Sequence, residues 1–266
     1  MKTSCLLILV ICYAMFIADA HNGGEIDYTK RGDNWDGQCT EGHLQSPIDI
    51  QTSNALSSLH HKAYGSLKNL DNATLHYDHH KLLVEYDQGS FTFVDDEGIS
   101  EWKSLQFHFH SASEHHIDGY EYDAELHVVF QNKNDPHKLL VTGFFIQGDP
   151  NAAPSEFIDK LGLANIEEGH YSRDVKLDGF YNKFDGVTTY NYDGSLTAPP
   201  CSENVEWLVI SEPLRVPEYQ AAQFLKIWPH NHDFANGHGS DRKIQKLNSR
   251  IVKVLNFGEN QEILAQ

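Results

Sequence analysis

The residues of this chain best suited to chemistry are three histidines. His108 and His110 lie in Gln106-Phe107-His108-Phe109-His110, and His127 lies in Ala124-Glu125-Leu126-His127-Val128-Val129. Neutral imidazoles bind zinc well, and three of them leave the fourth tetrahedral position open, the pattern of a catalytic rather than a closed structural site. A His-x-His pair in a chain with 17 histidines is weak by itself. Its company strengthens it. Glu125 stands two residues before His127, where a strand would put it on the same face to orient that ligand from behind. Glu114 follows in Ser113-Glu114-His115-His116, and Gly194-Ser195-Leu196-Thr197-Ala198-Pro199-Pro200 lies far downstream.

Elements of period two must position these groups. Both histidine runs alternate polar and apolar residues, so each reads as a strand with His108 and His110 on one face. Asp118-Gly119 between them is a two-residue hairpin signal, and such a turn would set His110 opposite His127 unless Ser111-Ala112-Ser113 bulges. Leu82–Tyr86, Ser90–Val94 and Leu139–Phe145 also read as strands. Two stretches read as helices. Ser155–Leu163 has Ser155 as its cap. Pro217–Ile227 has proline at the first helical position and Glu218 in the first turn, with Pro229 beyond its end. No linker-like stretch or repeat divides the chain. The expected class is mainly β (α+β), one domain with a large sheet and short peripheral helices.

Composition narrows the partners. A chain of 266 residues can enclose one large core. Its net charge of −18 argues against nucleic acid and anionic membrane surfaces. Lys2, the apolar run Leu6–Ile17 and Ala18-Asp19-Ala20 read as a cleaved signal peptide over residues 1–20. A secreted, extracellular protein is therefore expected, with no membrane anchor in the mature chain and no hydrophobic C-terminal tail. Asn72-Ala73-Thr74 is a glycosylation sequon at Asn72. Cys5 and Cys12 would leave with the leader, so Cys39 and Cys201 remain as an even pair in an oxidising compartment. Pro229-His230-Asn231-His232-Asp233, with His238, reads as a solvated loop.

The chain resembles the α-class carbonic anhydrases. The resemblance rests on Gln45-Ser46-Pro47-Ile48-Asp49-Ile50, the Gln106–His110 run, Ser113-Glu114-His115, Ala124-Glu125-Leu126-His127, the Ser195–Pro200 run, Val205-Glu206-Trp207 and Leu247-Asn248-Ser249-Arg250. Each block alone is weak, but all fall in family order between about Tyr28 and about Leu255. The resemblance implies a carbonic anhydrase domain over 21–266, built on a central, twisted, mostly antiparallel sheet of about ten strands. It implies a secreted zinc lyase that interconverts carbon dioxide and bicarbonate by attack of zinc-bound hydroxide.

The same resemblance assigns roles. Zn2+ is expected on His108, His110 and His127, with Gln106 and Glu125 orienting the ligands. Thr197 would accept the proton of the attacking hydroxide in a hydrogen bond while donating its own to Glu114. An apolar wall for carbon dioxide is expected from Val129, Val141, Leu196, Val205 and Trp207. Ala198 stands where many active relatives carry a hydroxyl or imidazole, so it bears on rate rather than on reaction type. His80, with His79 beside it, is expected to export the proton, since imidazole titrates near neutrality. Tyr28 falls at the place of a cavity tyrosine. Secreted relatives pair cysteines at the places of Cys39 and Cys201, and closing so long a loop contributes about 4–5 kcal/mol in the chain-entropy model. The competing class is a carbonic-anhydrase-like binding or matrix protein with little turnover, a class that usually lacks one zinc histidine; here all three are present.

Overall fold

The structure, a computed structural model, describes residues 26–58, 60–78, 81–228 and 239–258. The expected leader, His79, His80 and the 229–238 segment lie outside the described residues. Fourteen strands are described: β1 (Asp49–Ile50), β2 (Leu56–Ser57), β3 (Lys62–Leu67), β4 (Leu70–Asp78), β5 (Lys81–Glu85), β6 (Gly89–Asp95), β7 (Gly98–His110), β8 (His116–Ile117), β9 (Ala124–Asn132), β10 (Leu139–Gly148), β11 (Gly169–Val175), β12 (Thr188–Gly194), β13 (Val205–Val216) and β14 (Lys253–Asn256). Three short α-helices accompany them, α1 (Gln38–Glu41), α2 (Glu156–Leu161) and α3 (Glu218–Ile227).

Twelve strands form one mixed sheet. Its main path runs β11-β4-β5-β7-β9-β10-β13-β12-β14-β2, and β6 branches from β7 to carry β3. Within it only β10 with β13 and β14 with β2 run parallel; the other pairs are antiparallel. The expected mostly antiparallel sheet is therefore present, and its main path has the expected ten strands. β1 and β8 pair separately and in parallel.

The two faces of the central strands have different work. Residues opposite each other in a ladder point to the same side. One side carries Phe107 and Phe109 of β7, Leu126, Val128 and Phe130 of β9, Leu140 and Phe144 of β10, and Leu208 and Ile210 of β13, all in the main core. Helices α2 and α3 cover this side. The Phe157 ring lies 5.6 Å from Phe107, and the Phe224 ring lies 4.9 Å from Phe109. The other side carries Gln106, His108 and His110, then Glu125, His127 and Val129, then Val141, and then Trp207. β9 is buried on both faces over residues 124–130, as a strand central to a covered sheet must be.

A bulge decides which β7 side chains face the site. The β7–β9 register runs Ser104↔Phe130 and then Gln106↔Val129, so one β7 residue is extra. Before it, even-numbered Trp102 belongs to the main core; after it, even-numbered Gln106, His108 and His110 face the other way.

The hairpin register differs from the expected one. His108, not His110, stands opposite His127, and His110 stands opposite Glu125. The Asp118-Gly119 turn itself is present. Ile117 bridges Tyr120, and φ is +49° at Asp118 and +79° at Gly119. Between turn and ladder, however, the first arm has two more residues than the second. Those residues leave the ladder to make other bonds. His116 and Ile117 pair with Asp49 and Ile50, and the Glu114 and His115 N–H groups donate to the Glu125 carboxylate.

Both helix caps also differ. Ser155 occupies the cap position of α2, but its side chain makes no capping bond. Its backbone instead bonds the Gln220 amide of α3 in both directions, at 2.9 and 3.0 Å. Pro217 is the cap residue of α3 rather than its first helical residue. A disulfide joins Cys39 and Cys201 across a separation of 162 residues.

Candidate metal centre

The sheet brings the three histidines together as a cluster. Period two on β7 puts His108 and His110 side by side, and the β7–β9 register adds His127. The ligand-capable atoms of the three lie within 4.8 Å of one another. His110 and His127 are buried, while His108 is partly exposed.

Each ring is held from behind by a hydrogen-bond acceptor. His108 Nδ1 lies 2.9 Å from Gln106 Oε1, His110 Nδ1 lies 2.7 Å from the Ser240 carbonyl, and His127 Nε2 lies 2.8 Å from Glu125 Oε1. An acceptor there requires the proton on that nitrogen, so a neutral ring turns its lone pair inward. The inward atoms are then His108 Nε2, His110 Nε2 and His127 Nδ1. Two of them, His108 Nε2 and His127 Nδ1, are 3.3 Å apart. Burial lowers the pKa of all three, and for His108 and His110 the neighbouring imidazoles lower it further; His110 falls to about 3. Neutral imidazole is the form that binds a metal.

The geometry fits a cation. His110 Nε2 and Glu114 Oε2 are both buried without a hydrogen-bond partner, yet they lie 3.3 Å apart. Two lone-pair atoms at that distance repel unless the carboxyl carries a proton between them or a cation sits beside them. Nitrogen donors on rigid strands suit zinc.

Two buried carboxylates flank the cluster in opposite electrostatic states. Burial pushes the Glu114 carboxyl well above the usual range, with Thr197 and the Arg242 amide acting in the other direction. Its Oε1 accepts the Arg242 N–H at 2.9 Å. Burial would also raise Glu125, but His115 and His127 hold it well below the usual range. Glu125 Oε2 accepts the N–H groups of Glu114 and His115, at 2.9 and 2.8 Å. Gly143 stands opposite His127 on β10, and a Cβ there would come 2.8 Å from Glu125 Oε1. Only glycine leaves room for that carboxylate.

The apolar residues expected as a wall form part of one cluster. Val129, Val141, Val205 and Trp207 are buried together, with Leu196 packed against them. The Trp207 ring lies 4.9 Å from that of His127. Thr197 is buried in the turn after β12, followed by half-buried Ala198. This turn is tied down by the Leu196 N–H to the Ser202 carbonyl, by the Cys201 N–H to the Ala198 carbonyl, and by the disulfide. Tyr28 is buried, with Glu114 and Asp241 raising its pKa after burial itself. Asn72 is exposed on β4 with φ +56°. Among the described residues no helix is long and apolar enough to cross a membrane.

Sequence reasoning missed three participants: the Ser240 carbonyl behind His110, the Arg242 amide on Glu114, and His115, which shares Glu125 with His127. The two backbone groups leave no trace in residue identity. Their segment is held by the Arg242 guanidinium, which donates to Gln45 Oε1 and to the Ser46 and Cys39 carbonyls.

Comparison with known proteins gives consistent matches. Residues 30–256 match the family model of the eukaryotic-type carbonic anhydrases. A carbonic anhydrase of Nostoc sp. is 32% identical over 217 residues, covering 80% of this chain and 76% of that protein. The structure of a halotolerant carbonic anhydrase from Dunaliella salina superposes with a TM-score of 0.70 at 26% identity, covering 88% of this chain and 99% of that one. A carbonic anhydrase of Chlamydomonas reinhardtii in complex with acetazolamide gives 0.69 at 26% identity, covering 84% and 95%.

Proposed function

The chain belongs to the eukaryotic-type carbonic anhydrases, and we propose that its zinc is held by His108, His110 and His127. The reaction of the family is the reversible hydration of carbon dioxide to bicarbonate and a proton. The observation that carries the ligand assignment is the convergence of three inward imidazole nitrogens, each with its outer N–H tied to a separate acceptor. Zinc, when bound, supplies a Lewis acid that makes hydroxide available near neutral pH.

The chain's own residues then aim the attack. Gln106, the Ser240 carbonyl and Glu125 hold the three rings in one tautomer and one orientation. Thr197 accepts a hydrogen bond from the attacking oxygen only if its own proton goes elsewhere, and Glu114 is the acceptor for it. Burial works against an ionised Glu114, but a cation held by the three neutral imidazoles would favour it. Val129, Val141, Leu196, Val205 and Trp207 form an apolar surface suited to a small molecule without a net dipole. Ala198 offers bicarbonate no hydrogen bond, which affects rate and inhibitor preference.

His80, with His79 as an alternative, exports the proton in this reading, since imidazole exchanges protons near neutrality. Secretion with cleavage of a leader belongs to the same reading, supported by the apolar run Leu6–Ile17, the Cys39–Cys201 bridge and the exposed sequon at Asn72. Metal analysis of the purified mature chain, with stopped-flow hydration before and after chelation, tests the proposal. One zinc per chain and activity lost on chelation and regained on zinc addition are expected. Hydration without zinc would refute it.

A further inference from the structure

A cleft of about 550 Å³ crosses one end of the central strands, away from the histidine cluster. It takes in the start of β7, the end of β9 and the starts of β10, β13 and β14, whereas His108 and His110 close the far end of β7. That volume suits a small organic molecule.

The charge on its lining is one-sided. Six carboxylates line it against two lysines, Lys138 and Lys253. Both lysines are engaged, Lys138 with Glu97 at 3.9 Å and Lys253 with Asp96 at 3.2 Å. Asp95, Asp193, Glu203 and Glu206 make no ion pair among the described residues. Asp95 accepts the N–H groups of Glu97 and Gly98, and Glu203 accepts the Leu44 N–H and the Gln45 side-chain amide. The nearby Arg250 guanidinium donates to main-chain carbonyls, that of Asp193 among them.

Two further lining groups favour positive charge. Glu206 accepts a hydrogen bond from the Asn191 side-chain amide. Burial pushes its carboxyl up to about 7, with Asp193 and Asp95 acting in the same direction and Asn191 and Lys253 against it. A carboxylate in that position gains from a cation brought beside it. His61 is buried, with Nε2 3.3 Å from the Asp96 carboxylate and 3.4 Å from the Lys253 ammonium. Its Nδ1 is buried with no hydrogen-bond partner among the described residues. With the ring proton on Nε2, towards Asp96, Nδ1 keeps a lone pair that accepts from an N–H donor.

The arrangement suits an organic cation better than a bare metal ion. Calcium needs about six to eight oxygens converging on one point. Among the described residues, the groups of three side chains close enough to hold a metal both contain His127, and neither lies in the cleft. The lining also carries apolar surface, with Ile99 and Ile251 exposed and Phe93 and Trp102 buried beside them. Spread carboxylates with apolar surface match separate ammonium groups joined by methylenes. We propose that this cleft binds a linear polyammonium ligand, with its ammonium groups on Glu206, Asp193 and Asp95 and its methylenes on Ile99 and Ile251. The site is independent of the metal assignment above.

Isothermal titration of the zinc-loaded mature chain with spermidine at low ionic strength tests the proposal. One saturable site per chain is expected, filled by about 1 mM free spermidine; no saturation by then overturns it. Glu206→Gln keeps an oxygen for Asn191 and should weaken binding about tenfold, the effect of one hydrogen bond to a charged group. Parent-like affinity in that variant overturns the proposal. Glu167→Gln, an exposed carboxylate before β11, should bind as the parent does. An equal loss there means diffuse attraction to a chain of net charge −18 and overturns the site. Calcium held through Glu206 more tightly than spermidine overturns the choice of an organic cation. Parent-like binding in His108→Ala supports the cleft, whereas binding lost there places the amine at the metal centre and overturns it. If Glu206→Gln does not fold, NMR of the unsubstituted protein decides. Spermidine-dependent shifts of the Gly98 and Gly194 N–H groups and the Asn191 side-chain amide support the site, and unmoved signals there overturn it.

Discussion

The two faces of β7, β9, β10 and β13 are built from the same strands with opposite demands. On the core face, Phe107, Leu126, Phe130 and Phe144 are buried without exception and need only fit one another. On the site face, His110, Glu125 and His127 are buried almost as deeply, and each needs a partner for every polar atom. The core face gains from the area it removes from water, at about 25 cal/mol per Å². The site face withdraws charged and polar groups from water and recovers that cost only through complete hydrogen bonding. Glu125 recovers it with four contacts; Glu114 keeps a buried oxygen and His110 a buried nitrogen unpaired. One face therefore sets stability, and the other holds an incompletely compensated group of histidines and carboxylates that could hold a metal ion.

That contrast can be broken by substitution on either side. His108→Ala should abolish zinc binding and hydration together while the core face keeps the chain folded; metal analysis and stopped-flow hydration check it, and full zinc content would sink the ligand assignment. Phe107→Ala, one residue away on the core face, should cost roughly 3–5 kcal/mol of stability. Its folded fraction should still hold one zinc, measured by denaturant titration alongside metal content. Thr197→Ala should lower hydration by roughly two orders of magnitude with zinc retained, by analogy with removing one preorganised hydrogen-bond partner. An undiminished rate in the zinc-loaded variant would exclude the Thr197–Glu114 pair.

A pH series sharpens the same comparison in the metal-free protein. His110 has an ordinary pKa of 6.5 when unfolded and about 3 when folded. Between those values the unfolded chain binds the extra proton, so stability falls as pH falls from 6.5 towards 3. The slope for this one group is about 1.4 kcal/mol per pH unit. Urea titrations at several pH values measure it, and His110→Asn should flatten the profile. The smallest effect belongs to the proton path. The double variant His79→Ala, His80→Ala should lower turnover in dilute buffer, hardly change carbon dioxide–bicarbonate exchange at equilibrium, and regain turnover with added imidazole. Wild-type turnover in weak buffer would remove these histidines from the scheme.

Much of this molecule could be read from residues alone. Alternation with period two identified the strands and put His108 and His110 on one face, because side-chain direction in a strand is a local property. Asp118-Gly119 marked its turn for the same reason: its positive φ values are a matter of two residues. The blocks from Gln45 to Arg250 pointed to the family, and the Cys39–Cys201 pairing agreed with them. The cap positions were less legible, since the Ser155 backbone is bonded by Gln220, 65 residues away.

Tertiary structure decided the rest, and the reason is consistent. Whether the β7 histidines face the core or the site depends on the bulge between Ser104 and Gln106, which exists only in the pairing with β9. The partner of His127 was set by how many residues the Ser111–Tyr122 excursion takes out of the ladder. That number follows from buried bonds to Glu125 and to β1, not from the turn. The acceptor behind His110 is the carbonyl of Ser240, 130 residues away, and the donor to Glu114 is the amide of Arg242. A backbone carbonyl or amide is the same at every position, so a sequence records which side chains are available for the site but not which main-chain groups the fold will bring to them.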